Sequence, residues 1–121
     1  MKTWTTRFAL LVLLAVPAYA ATNTIEIFNF DFGNASTTNH IDPTIAPGDT
    51  VQWVWISGFH SVTSAVGQSE VWGSGTHGAP FTNSHTFTHL GTFNYFCSVH
   101  GSDAGCGNVA AMSGRVFNAS R

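Results

Sequence analysis

Pro47-Gly48-Asp49-Thr50-Val51-Gln52-Trp53-Val54-Trp55-Ile56 opens on a turn signal and runs on as β-branched and aromatic residues with no helical period. The run reads as a strand. Upstream, Ile25, Ile27, Phe28, Phe30 and Phe32 carry the same bias and read as one strand ending near Gly33, followed by a polar loop from Asn34 to His40. Downstream, His60 to Ser64 reads as a short strand restarting after the Ser57-Gly58 break. Gly67 to Pro80, with four glycines and a proline in fourteen residues, reads as a long irregular connection. Two more strands, His85 to Thr88 and Thr92 to Cys97, flank a Leu90-Gly91 turn, and Phe93, Tyr95 and Cys97 share one inward parity. Gly114 to Ala119 makes the last strand. With no helix of normal length, no repeat and no heptads, the pattern is that of an all-β chain folded as an antiparallel β-sandwich. Trp53, Phe87 and Phe93 read as core between its sheets.

The composition bounds the possibilities. At 121 residues, 44% hydrophobic and 8% charged, the chain suits one compact domain rather than a disordered tail. Four Lys or Arg against six Asp or Glu give a net charge of −2, which excludes a basic nucleic-acid binder held by phosphate contacts. Phe8 to Ala20 is shorter than the roughly 20 residues needed to cross a bilayer. Lys2 and Arg7 precede an apolar stretch from Phe8 to Val16, and Ala18-Tyr19-Ala20 has the small-any-small pattern of a signal-peptidase site. Residues 1–20 therefore read as a signal peptide cleaved after Ala20, and residues 21–121 as the mature domain, with no membrane span. Only Arg115 and Arg121 then face the six acids, so the mature chain is lysine-free with a net charge of 2 − 6 = −4. Export leads to an oxidising compartment, the periplasm or the extracellular space.

The chemistry concentrates at four residues. Cys97 and His100 form Cys-x-x-His at the end of a strand, so a thiolate and an imidazole converge across a tight turn. His60 lies where an earlier strand restarts, and Met112 just before the last one, so a sandwich can gather all four at one end. One thiolate, two imidazoles and a weak thioether suit a mononuclear type 1 copper centre. Other readings of the same residues exist. In an exported protein a Cys97–Cys106 disulfide is the plainest use of two cysteines. Cys106 as a second thiolate would instead favour a tetrahedral zinc site. Met112 alone would be core filler. The order His, Cys, His, Met favours copper.

The mature chain also resembles the small cupredoxins of the plastocyanin and azurin type. The resemblance rests on Pro47-Gly48-Asp49-Thr50-Val51-Gln52-Trp53, His60-Ser61-Val62, the segment from Phe87 through Cys97-Ser98-Val99-His100, and Met112-Ser113-Gly114-Arg115-Val116. It implies a Greek-key β-sandwich that holds one copper ion, cycling between Cu(I) and Cu(II). His60, Cys97 and His100 would be the equatorial ligands and Met112 the axial one. It further implies a monomeric electron carrier rather than an enzyme, one that docks transiently with redox protein partners near His100, where Val99, Gly101 and Phe59 would form an apolar rim. A copper storage or delivery protein would use the same ligands. Two departures stand out. Ser61 occupies the place where the family has Asn, and its hydroxyl can supply part of the same hydrogen bonding. Eleven residues separate His100 from Met112 where plastocyanin-like members commonly have four. The other histidines, His40, His77, His85 and His89, read as surface or hydrogen-bonding residues, and the triplets at Asn34 and Asn118 carry no assigned function.

Overall fold

The computed structural model describes residues 2–12, 19–105 and 111–120. Ten strands form two five-stranded sheets. They are β1 (Thr22–Phe28), β2 (Asp31–Asn34), β3 (Asn39–His40), β4 (Thr44–Ile45), β5 (Thr50–Trp55), β6 (Phe59–Ser64), β7 (Gly73–Gly78), β8 (Phe81–Thr86), β9 (Gly91–Phe96) and β10 (Ser113–Asn118). One sheet has the order β3-β2-β1-β5-β8, the other β4-β10-β9-β6-β7. The only helical element among the described residues is a single 3-10 turn, Asp103–Gly105. No helix among them is long and apolar enough to cross a membrane.

The β-sandwich is as expected, with one qualification to its antiparallel character. β1 runs parallel to β5, and β4 parallel to β10, while the other pairings are antiparallel. Parallel neighbours need a crossover, and the chain supplies one by visiting the second sheet at β4 between β1 and β5.

The strand read from Ile25 to Gly33 is in fact a hairpin. Asn29 and Phe30 adopt positive φ, 34° and 61°, and reverse the chain between β1 and β2. Asn tolerates that region, as its short side chain bonds locally, but Phe does not do so readily. The glycine-rich connection also contains β7, which pairs along the outer edge of β6 and carries no continuous apolar face to betray it.

Alternation places the core. In β5, Val51, Trp53 and Trp55 point inward and are buried, and in β9 Phe93 and Tyr95 do the same, followed by Cys97. Trp53 and Tyr95 meet edge to face with centroids 5.3 Å apart, and Trp72 stacks on Trp53 at 6.0 Å. Phe32 and Phe87 are wholly removed from solvent, and each stabilises the sandwich by roughly 1.5–3 kcal/mol. Gly114 is required opposite Tyr95, because a Cβ there would sit 2.4 Å from the phenol oxygen. Glu70, in the β6–β7 connection, ties that connection to the β8–β9 turn. Its carboxylate accepts from the Thr88 and His89 N–H groups at 3.0 Å each and meets His85 Nε2 at 2.9 Å.

Candidate metal centre

Three neighbouring strand ends build the site. β9 lies between β10 and β6, and the β6–β9 ladder pairs Thr63 with Phe96 and stops there. Beyond that point the two strands carry His60 on one side and Cys97 on the other. The Ser61 hydroxyl joins them where the ladder has ended: it accepts from the Ser98 N–H at 2.8 Å and lies 2.9 Å from the Ser98 hydroxyl and 2.9 Å from that of Thr63. The Ser61 N–H points at Cys97 Sγ, 3.4 Å away. The hydroxyl thus links the segment that carries His60 to the one that carries Cys97.

The turn from Cys97 to His100 is closed by the Gly101 N–H, which donates to the Cys97 carbonyl at 2.8 Å. A Cβ on Gly101 would lie 2.7 Å from the Met112 carbonyl, so the close approach of the two segments requires glycine. Cys97 N–H donates to that same carbonyl at 3.0 Å. Met112 is therefore held beside Cys97, and it is buried in the core cluster.

His60, Cys97 and His100 converge. Their ligand atoms lie within 4.8 Å of one another, and no other group of three His, Cys, Asp or Glu residues does so among the described residues. The two Nδ1 atoms are 3.2 Å apart, with Cys97 Sγ 3.9 Å from that of His60 and 3.6 Å from that of His100. The point equidistant from the three atoms lies about 2.1 Å from each; bonds from a zinc ion to nitrogen and sulfur are about 2.0–2.1 and 2.3 Å. The three atoms fit a single transition-metal ion.

Burial, and then the neighbouring His100, hold the His60 imidazole below its ordinary value, against an opposing contribution from the Ser57 backbone. A neutral imidazole with a free Nδ1 lone pair is the form that binds a metal. Gly58 makes room for that ring: it has φ +79°, and a Cβ there would lie 2.5 Å from His60 Nε2. Cys97 is a free, buried thiol, and not half of a disulfide. Cys106, weighed as a disulfide partner or second thiolate, lies outside the described residues.

One residue of the site escapes a reading of sequence. Phe30 turns outward from the hairpin and places its ring edge on to both imidazoles, at 4.7 Å from His100 and 6.2 Å from His60. The sequence reads it as part of one strand with Phe28 and Phe32; the one signal against that is the turn-forming Asn29 beside it. Phe30, Phe59 and Val99 line a cleft over the imidazoles together with Asn29 and Ser57, none of them ionisable. His100 is exposed there, and His60 is buried. The remaining histidines are engaged elsewhere: His40 with Asp31 and Asp42, His77 with the Ser74 carbonyl, His85 with Glu70, and His89 near Glu70.

No family model matches the sequence, and no curated protein does. Solved structures do. Amicyanin from Paracoccus versutus superposes with a TM-score of 0.57 at 22% identity, covering 86% of this chain and 85% of that one. A purple cupredoxin from Nitrosopumilus maritimus gives 0.56 at 23% identity, covering 79% of this chain and 98% of that one. This chain has the cupredoxin fold. A copper-containing nitrite reductase from Thermus scotoductus superposes with a TM-score of 0.60 at 18% identity over 93% of this chain, but the match spans only 25% of that larger chain.

Proposed function

We propose that this protein is a mononuclear type 1 copper protein that carries single electrons between redox partners outside the cytoplasm. The observation that carries this reading is the convergence of two Nδ1 atoms and one buried thiol on a common point at the end of a cupredoxin sandwich. In this reading His60, Cys97, His100 and Met112 would hold the copper ion. Bound copper would supply a one-electron couple between Cu(I) and Cu(II).

The chain's own residues do the rest. Cys97 is buried behind two sheets, which keeps water from its sulfur, and the backbone N–H of Ser61 faces that sulfur. The Ser61 hydroxyl and the Cys97–Met112 backbone bond fix three segments against one another, so the ligands change little in geometry with the charge they hold. Four protein ligands leave no open position for a substrate, which favours a carrier over an enzyme. His100, exposed in a cleft bounded by Phe30, Phe59 and Val99, is the port, and this apolar rim suits brief docking of a redox protein over a small area. Residues 1–20 act as the export signal and residues 21–121 as the carrier, which works as a monomer in the periplasm or beyond it.

Val99→Glu tests the port. Electron exchange between the copper-loaded protein and a small cupredoxin or cytochrome acceptor should slow at least severalfold, with the visible spectrum unchanged. An unchanged exchange rate would overturn the assignment of this face.

A further inference from the structure

The turn that opens β5 holds a buried acid that reaches a residue far away in sequence. Asp49 is 2% exposed, and its Oδ1 accepts from the backbone N–H of Ala21 at 2.8 Å while Oδ2 accepts from that of Ala46 at 3.0 Å. The turn does not depend on the Ala21 bond. Its backbone is already closed by Asp49 N–H to the Ala46 carbonyl at 3.0 Å, and anchored to the β8–β9 turn by Gly48 N–H to the Phe87 carbonyl at 2.7 Å and Phe87 N–H to the Asp49 carbonyl at 2.9 Å. Ala21 also accepts from Thr50 N–H at 2.9 Å, one step before the parallel β1–β5 register begins at Thr22 and Thr50.

Ala21 is the residue that follows the small-any-small cleavage pattern. The described residues before it, 2–12, 19 and 20, are exposed and belong to no strand; from Thr22 onward the chain is paired. Two independent features, a peptidase signature at Ala20–Ala21 and the start of the sheet at Thr22, thus lie one residue apart, and the nitrogen of the Ala20–Ala21 bond lies against a buried carboxylate.

We propose that Asp49 is the receptor for the α-ammonium group of the mature chain. In the precursor the Ala21 nitrogen is an amide with one proton. An export peptidase hydrolyses the Ala20–Ala21 bond with one water: the leader leaves with the Ala20 carboxylate, and the Ala21 amine takes up a proton. The neutral hydrogen bond at 2.8 Å then becomes a charge-assisted one between ammonium and carboxylate. Ala21 is exposed, so the added protons are solvated while one remains on Asp49. Processing therefore locks the first strand on to β5, and the precursor folds less stably than the product. This inference rests on the export part of the proposed function and is independent of the copper reading.

The mature chain offers a direct probe, because its only primary amine is this α-amino group: Lys2, the sole lysine, leaves with the leader. Protein purified from an exporting host should have an intact mass that begins at Ala21. Its labelling by an amine-reactive ester should be roughly tenfold slower in the native state than in urea, equivalent to about 1.4 kcal/mol of extra stability for the protonated amine. Equal rates would overturn the proposal, as would a different N-terminus. A chain retaining Ala20 should melt about 4–8 °C lower than the chain starting at Ala21. In the Asp49→Asn background the same extension should cost nothing further. An equal loss in both backgrounds, or none in the parent, would contradict it; should Asp49→Asn fail to fold, the labelling ratio still decides.

Discussion

Phe30 stands edge-on to His100 with ring centroids 4.7 Å apart, and it does so from a backbone φ of 61°. A bulky side chain in the left-handed region costs roughly 1–2 kcal/mol, and this one is 65% exposed, so it recovers little by burial. The conformation sets the ring against the two imidazoles and gains the fold little burial. Phe30→Gly should leave the melting temperature of the metal-free protein unchanged or higher. It should weaken copper binding roughly 2- to 10-fold, the worth of an aromatic pair of about 0.5–1.5 kcal/mol. Calorimetry on the two proteins checks both halves; a large drop in metal-free stability would show that the ring is needed for folding.

Gly58 answers to two constraints at once, a φ of +79° and a Cβ position 2.5 Å from His60 Nε2. Gly58→Ala must displace either the turn or the ring. The expected result is a loss of about 1–2 kcal/mol in stability together with a copper affinity at least tenfold lower. Chemical denaturation and metal titration of the same sample measure the pair.

Ser61 is 1% exposed, and its hydroxyl meets three partners. Ser61→Ala removes the side-chain acceptor of the Ser98 N–H, on an exposed residue, at a cost of about 0.5–1.5 kcal/mol. The joint between the ligand segments also loosens, so the electron self-exchange rate of the copper-loaded protein should fall. Retention of both stability and rate would deny the hydroxyl its linking role.

His40 gives the fold a pH dependence remote from the metal centre. Burial lowers its pKa, but the hydrogen bond to Asp31 and the charges of Asp42 and Asp31 outweigh this and raise it. A raised histidine contributes stability that is fully present below its unfolded value of about 6.5 and is lost as pH rises through the higher folded value. His40→Gln should therefore be more destabilising at pH 5.5 than at pH 9. Denaturation curves at the two values test the sign, and an opposite ordering would refute it.

The sequence was most legible where chemistry and periodicity coincide. Cys97 and His100 were readable because the three-residue step follows a strand of alternating Phe93 and Tyr95, and the structure brings His60 to them across the β6–β9 pair. Trp53, Phe87 and Phe93 proved buried for the same reason. What escaped depends on contacts distant in the chain. Phe30 shares the parity of core residues, and only the left-handed turn at Asn29 sends it outward. β7 hides among glycines because an edge strand needs backbone pairing and not an apolar face. Asp49 reads as a turn former, and its bond to Ala21 spans 28 positions. Glu70 likewise carried no signal, although it joins two connections through three hydrogen bonds.

The visible and electron paramagnetic resonance spectra of residues 21–121 during titration with Cu(II) decide whether the chain holds copper as a type 1 centre. One copper per chain is expected, with an intense thiolate-to-copper absorption toward the red, lost in Cys97→Ser and kept in Cys106→Ser. A colourless protein that takes up zinc in preference, or a band that disappears with Cys106 and survives loss of Cys97, would contradict the type 1 reading.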